Sequence, residues 1–223
     1  MEFRIDNKAI NLASRKEIPL IAKGKTGNIY RYGSEVLKVF DGEIKPQIDH
    51  DAAKTMTKIH TKRILLPKRL LMCGNTFSGY TLNRIPKKGT KKKMVTTPKD
   101  ELICSIRELE EDVEEISANN ILLSDVSPEN TIFNGKLYLS DPSKYTKLSL
   151  APTEDLNRVN QYQIYLLLSE LFAKELRTMN FSKSNISQFR ELLSLKDNEQ
   201  KPSEYLDYII DDKSNIKEMI KAL

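Results

Sequence analysis

At 223 residues the chain suits one domain or one two-lobed unit with a substantial buried core. Charged residues make up 30% and hydrophobic residues 39%, the balance of a soluble globular protein. The net charge of +5 suits an anionic ligand or partner, but 36 Lys and Arg against 31 Asp and Glu is too even to indicate specific nucleic-acid binding. Two cysteines, Cys73 and Cys104, are too few for a disulfide framework or a zinc cluster. The opening "MEFRIDNKAINL" carries no apolar signal core, and no later run approaches membrane length. A cytoplasmic protein that does not enter membranes is expected.

In chain order, the first half reads as short strands punctuated by glycine: "IPLIAKG", "GNIYRYG", "SEVLKVF", a strand at "LLPKRLL", and "SGYTLNRI". One helix interrupts them, around "PQIDHDAAKTMTKIHTKRIL", with Pro46 near its start and His50 and His60 on its surface. The texture changes near residue 84. In "PKDELICSIRELEEDVEEISANN", Leu102, Ile106, Leu109, Val113 and Ile116 form one apolar helical stripe. An irregular hairpin is expected over "ILLSDVSPENTIFNGKLYLSDPSKY". A second long helix, "TEDLNRVNQYQIYLLLSELFAKEL", is apolar nearly all round at its centre and is expected to be buried. Three shorter helices finish the chain. The expected fold class is α+β: a small antiparallel β lobe with one helix over residues 1–83, and a mainly helical lobe over 84–223.

The chemistry-bearing residues fall in a definite order. Gly24 and Gly27 stand in a turn between two strand-like runs, where backbone N–H groups can approach a phosphate without a Cβ in the way. Lys38 lies in "VLKVF", and a lysine inside a buried strand requires an anionic partner. Two apolar runs, "ILL" and "LYL", each end in Ser-Asp, giving Asp125 and Asp141, with Asn130 five residues after the first aspartate. Turn capping by Asx side chains explains any one of these acids. It does not explain the ordered set.

In these motifs the chain resembles the protein-kinase-like superfamily, in a compact bacterial-type serine/threonine form, from about residue 20 to about 175. "GKTGNIY" is similar to the end of the glycine-rich loop, with Ala22 in place of its first glycine. "VLKVF" resembles the strand of the phosphate-binding lysine, "SDVSPEN" the catalytic loop, "LSDPSKY" the metal-binding segment and "GYTLNRI" the hinge. The resemblance implies a bilobal fold and an ATP- and Mg²⁺-dependent phosphotransferase. Asp125 would orient and deprotonate the acceptor hydroxyl, and Lys38 would contact the α- and β-phosphates. Asn130 and Asp141 would hold metal. The nucleotide would be bounded by Gly24, Gly27, Ile29, Lys38, Asp51, Leu82, Asn83 and Ile85.

The sequence also departs from that family. The helix partner of the lysine is Asp49 or Asp51 rather than glutamate, with spacing favouring Asp51. Leu123 and Ser124 replace the His-Arg before the catalytic aspartate, and Asp-Pro-Ser replaces Asp-Phe-Gly. Ser127 stands where protein kinases carry lysine, and Asn160 where a buried aspartate braces the catalytic loop. Lys87, Lys88, Lys91, Lys92, Lys93 and Lys99 form a lysine tract after the hinge, read as a solvated loop or as an electropositive lip. The resemblance implies a protein serine/threonine kinase with an acidic or phosphorylated acceptor. Its alternatives are a small-molecule kinase, favoured by Ser127, and a catalytically weak nucleotide-binding scaffold.

Overall fold

The computed structural model describes residues 2–12, 18–24, 26–41, 48–85, 93–194 and 200–222. The chain is α+β. A seven-stranded antiparallel sheet is built from β1 (Phe3–Ile5), β2 (Lys8–Ile10), β3 (Leu20–Gly24), β4 (Gly27–Tyr32), β5 (Glu35–Phe40), β6 (Arg69–Cys73) and β7 (Thr76–Asn83). The strand order is β2-β1-β6-β7-β5-β4-β3, which places β5 between β4 and β7.

The pleat divides β5 between two faces. Leu37 and Val39 join Ile5 and Leu71 in a small apolar cluster. Lys38 pairs in register with Tyr80, and Val36 with Leu82, so these four side chains share the other face. Tyr80 and Leu82 belong to the main core, which continues through Ile48, Ala52, Ala53 and Met56 into the helical part of the chain. Two glycines let the neighbouring strands approach β5. Gly27 (φ +155°) and Gly79 (φ +158°) have backbones that side chains disfavour, and an added Cβ would lie 2.2 Å from Val39 O or 2.1 Å from Lys38 O.

The helix expected from Pro46 onward is shorter than its sequence pattern. Helix α1 spans His50–Met56, capped by Asp49, whose carboxylate accepts the Ala52 N–H at 2.6 Å. Pro46 lies outside the described residues. Beyond Thr57 the backbone is committed elsewhere: the N–H groups of Lys62, Arg63 and Ile64 all donate to the Asp112 carboxylate. Leu65 N donates to Leu139 O at 2.8 Å. His50 is therefore helical, whereas His60 sits in an exposed non-helical segment.

Helix α2 (Lys99–Ala118) buries the expected stripe, including Leu102, Ile106, Leu109, Val113 and Ile116. Two short strand pairs follow: β8 (Ile121–Leu122) with β11 (Thr146–Lys147), and between them the hairpin of β9 (Thr131–Phe133) and β10 (Leu137–Leu139). The expected irregular hairpin is thus two nested pairs. Helix α3 (Thr153–Thr178) departs from the expectation of burial all round. Its inner face holds Ile164, Leu168 and Phe172, but Val159, Tyr162 and Leu166 are exposed. Helices α4 (Lys183–Ser194), α5 (Pro202–Ile210) and α6 (Ile216–Lys221) complete the chain. Among the described residues, no helix is long and apolar enough to cross a membrane.

Candidate active site

The nested strand pairs bring three separated stretches of sequence to the sheet face that carries Lys38. The chain enters from β8 through Leu123, whose N–H donates to Asn160 Oδ1 at 2.9 Å. Asn160 is fully buried on α3 and returns its amide protons to Ile121 O and Ser117 Oγ, each at 2.9 Å. Leu123 is thereby fixed two residues before Asp125.

Asp125 has φ +59°, a left-handed conformation that aspartate and asparagine tolerate better than most residues. The single helical turn Pro128–Asn130 then brings Asn130 back, and its Nδ2 donates to both the carbonyl and Oδ2 of Asp125 at 3.0 Å. After the β9–β10 hairpin, Ser140 donates its N–H and its hydroxyl to Asn130 O at 2.8 and 2.9 Å. These bonds place residues 125, 130 and 141 in one neighbourhood.

Asp141 meets Lys38 across 103 residues of sequence, with Nζ 2.8 Å from Oδ1 and 2.7 Å from Oδ2. Lys38 is only 4% exposed, so this pairing supplies the anion that a buried ammonium requires. Burial pushes the Asp141 carboxyl up, but Lys38 and the Ser143 N–H at 3.0 Å more than offset it, leaving it below the usual carboxylate range. The Tyr80 hydroxyl lies 3.4 Å from Oδ1. Burial and the Asp141 charge together hold that phenol well above its ordinary value, so it remains a neutral donor.

The acid facing Lys38 is therefore neither Asp49 nor Asp51. Asp49 caps α1. Asp51 is exposed on α1 and pairs with Lys147 Nζ at 3.0 Å. The reason is geometric: Asp49 is the N-cap and Asp51 lies in the first turn of a short helix, while Asp141 follows β10, whose Leu139 is tied through its backbone to Arg63 and Leu65. The "DPSK" turn is anchored to the segment that leads into the same helix, since Ile48 N donates to Ser143 O at 2.9 Å.

The remaining candidates line the sheet around Lys38. Gly24 and Gly27 pair with each other where β3 meets β4, and Lys25 between them lies outside the described residues. Ile29 is directly opposite Lys38 on β4. Leu82 is buried at the end of β7, Asn83 is exposed beside Glu35, and Ile85 is half-buried just beyond. In the lysine tract, 87–92 lie outside the described residues. Lys93 donates to Thr178 Oγ1 at 3.3 Å and Lys99 pairs with Asp207 at 2.8 Å, so these two serve the helical packing.

One charged residue escaped the sequence reading. Lys144 Nζ lies 2.9 Å from Asp125 Oδ2. Its signal was its position between Ser143 and Tyr145, which are both buried and hold the turn that presents it.

Among the described residues, no three His, Cys, Asp or Glu side chains converge as a metal cluster. A cation here would rest on one carboxylate and one amide, Asp141 and Asn130. These fit a hard divalent ion: Asn130 uses its Nδ2 on Asp125, its Oδ1 is an oxygen donor, and Ser140 ties its backbone next to Asp141.

The chain matches no protein-family model, and no curated protein matches it.

Proposed function

We propose that the protein is an ATP- and Mg²⁺-dependent phosphotransferase with a bilobal, protein-kinase-like arrangement, acting on hydroxyl acceptors. The observation that carries this reading is the pairing of buried Lys38 with half-buried Asp141 at 2.7 Å, with Asp125 and Asn130 in the adjoining loop. A buried lysine and an aspartate near an amide and a second aspartate form a set suited to polyphosphate and metal. Turn capping alone gives no reason for a lysine to be buried against the second acid.

In this reading Lys38 neutralises the nucleotide phosphates, and Asp141 with Asn130 would hold Mg²⁺. The metal would neutralise charge on the β- and γ-phosphates. Asp125 acts on the acceptor. The acceptor oxygen forms its bond to the γ-phosphorus as the bond from that phosphorus to the β,γ-bridging oxygen breaks. The electron pair leaves with ADP, and the hydroxyl proton passes to the Asp125 carboxylate. Ile29 offers apolar surface beside Lys38 for a nucleobase, with the core residue Leu82 backing it and Gly24 and Gly27 at the phosphate end.

The acceptor is a protein serine or threonine hydroxyl. A small-molecule hydroxyl is the second reading, favoured by how tightly the segment after Asp141 is closed. Thr146 and Lys147 pair with Leu122 and Ile121, and Leu148 N donates to Asn120 O at 2.8 Å before α3 begins at Thr153. Little chain remains for docking an extended peptide. Incubation with γ-labelled ATP and Mg²⁺, alongside general protein acceptors and a panel of metabolite alcohols, separates the two. Label on protein supports the first, and label on a metabolite the second. Absence of nucleotide binding and of transfer to every acceptor overturns both.

A further inference from the structure

Lys144 is a cation that the roles above do not use. Its Nζ approaches the same Asp125 oxygen that accepts Asn130 Nδ2, at 2.9 and 3.0 Å. Its backbone is held on both sides. Ser143 N donates to Asp141 Oδ1 at 3.0 Å, Tyr145 N returns to Pro142 O at 3.0 Å, and the Tyr145 side chain is buried. One short turn therefore presents both the carboxylate that meets Lys38 and the ammonium that meets Asp125. The charges alternate along the site: Lys38, Asp141, Lys144, Asp125.

We propose that Lys144 is a catalytic residue of phosphoryl transfer, its ammonium bridging Asp125 and the γ-phosphoryl oxygens. This rests on the phosphotransferase reading given above. Asp125 and the triphosphate are both anionic, and one acceptor hydroxyl must come within reach of each. A cation between them removes a like-charge repulsion at the point where the new bond forms. An ammonium has three donors, so it can hold a carboxylate oxygen and a phosphoryl oxygen together. Among the described residues Lys144 makes one ionic contact, to Asp125 Oδ2. The bond inventory of the transfer is unchanged, because Lys144 neither gains nor loses a proton. Since the contact is to the γ-phosphate, Lys144 distinguishes ATP from ADP.

The test uses the full chain with Lys144→Ala and Lys144→Arg, titrated calorimetrically with Mg-ATP and with Mg-ADP, beside single-turnover transfer rates. Lys144→Ala is expected to weaken ATP by about tenfold, the scale of one charged hydrogen bond, and to leave ADP unchanged. Transfer falls at least as far. Lys144→Arg keeps the cation and retains the preference for ATP. Equal weakening of both nucleotides, or of neither, overturns the proposal. If the parent protein binds and transfers while Lys144→Ala keeps the parental ATP-to-ADP ratio, only the role of Lys144 is lost. If the parent binds neither nucleotide, the phosphotransferase reading falls and takes this role with it.

Discussion

Asn160 and Leu123 lie 37 residues apart, yet the Asn160 carbonyl oxygen accepts the Leu123 N–H at 2.9 Å in a fully buried setting. The same amide donates to Ile121 O, so one side chain satisfies two backbone groups at the entrance to the Asp125 loop. Asn160→Ala leaves both unpaired in the core. A loss of about 2–4 kcal/mol is expected from two buried unsatisfied groups, read as a lowered urea midpoint. The effect extends beyond stability. Nucleotide binding should survive in the folded fraction, but transfer should fall, because Asp125 loses its fixed approach.

Gly79→Ala and Gly27→Ala push a methyl group into the backbone of β5 from the two neighbouring strands. With contacts of 2.1 and 2.2 Å, the strands must separate. Each substitution should cost about 1–3 kcal/mol or more. Gly33→Ala is the control, since its added Cβ meets nothing within 4 Å, although its φ of +57° carries a cost of its own. Thermal unfolding of the three variants should rank Gly33→Ala as the mildest.

Asp125→Asn should reduce transfer by about 10²–10⁴-fold, the usual contribution of a positioned general base. Nucleotide affinity should be nearly intact, because in the proposed reaction Asp125 acts on the acceptor and not on the nucleotide. Asp141→Asn should weaken Mg-ATP and abolish the difference between titrations with and without chelator. An Asp141→Asn protein that kept its magnesium dependence would remove Asp141 from the metal role.

Glu110 supplies the clearest pH signature. It is almost fully buried on α2 and accepts the Ser203 N–H at 2.7 Å and the Ser203 hydroxyl at 2.6 Å. Burial raises its carboxyl, and Ser203 offsets only part of that. A raised folded-state value means its contribution is complete below the unfolded-state value and is lost as pH rises through the folded one. Glu110→Gln cannot ionise; its Oε1 can still accept the Ser203 N–H, while its Nε2 donates to the Ser203 hydroxyl oxygen instead of accepting from it. It should be more stable than the parent at pH 7–8, with the advantage vanishing as pH falls below the ordinary glutamate range. Urea unfolding across that range measures it.

Activity should not depend on phosphorylation of Thr146, Ser149 or Thr153. Ser124 offers no cation, Lys147 is paired with Asp51, and β11 is held against β8. Arg158, exposed on α3, is the candidate receiver if this is wrong. Phosphatase treatment, or replacement of all three hydroxyls by Ala, should leave the rate within about threefold, well under 1 kcal/mol of barrier.

The parts of the fold legible in sequence were those fixed by local pattern. The apolar stripe of α2 and the β-branched runs of β4, β5 and β7 have periods that name their element. The β1–β2 hairpin, built from two three-residue strands too short to show a period, is marked in sequence only by Asp6 and Asn7, which supply its two positive-φ turn positions. The sequence predicts too long an α1 because "TKIHTKRIL" has helical spacing, whereas three of its N–H groups are captured by Asp112, 48 or more residues away. Long-range capture leaves no local pattern. The same limit explains the site. Spacing between Asp125 and Asn130 could be read directly, but the choice of Asp141 over Asp51 as the partner of Lys38 depends on where strands lie in space. Lys144 was missed because its role is defined by a contact 19 positions back along the chain.

The left-handed backbone at Asp125 bears on how this chain can drift over generations. At φ +59°, aspartate, asparagine and glycine are accommodated, while a β-branched residue is penalised whatever its chemistry. Glutamate would keep the carboxylate but lose the backbone preference, so retaining acidity alone does not make it an equivalent exchange. A descendant that abandoned transfer would still be steered toward Asp, Asn or Gly by the turn. Under the phosphotransferase reading, the substitution the turn admits most readily at this position is asparagine, which removes the carboxylate and leaves the loop folded.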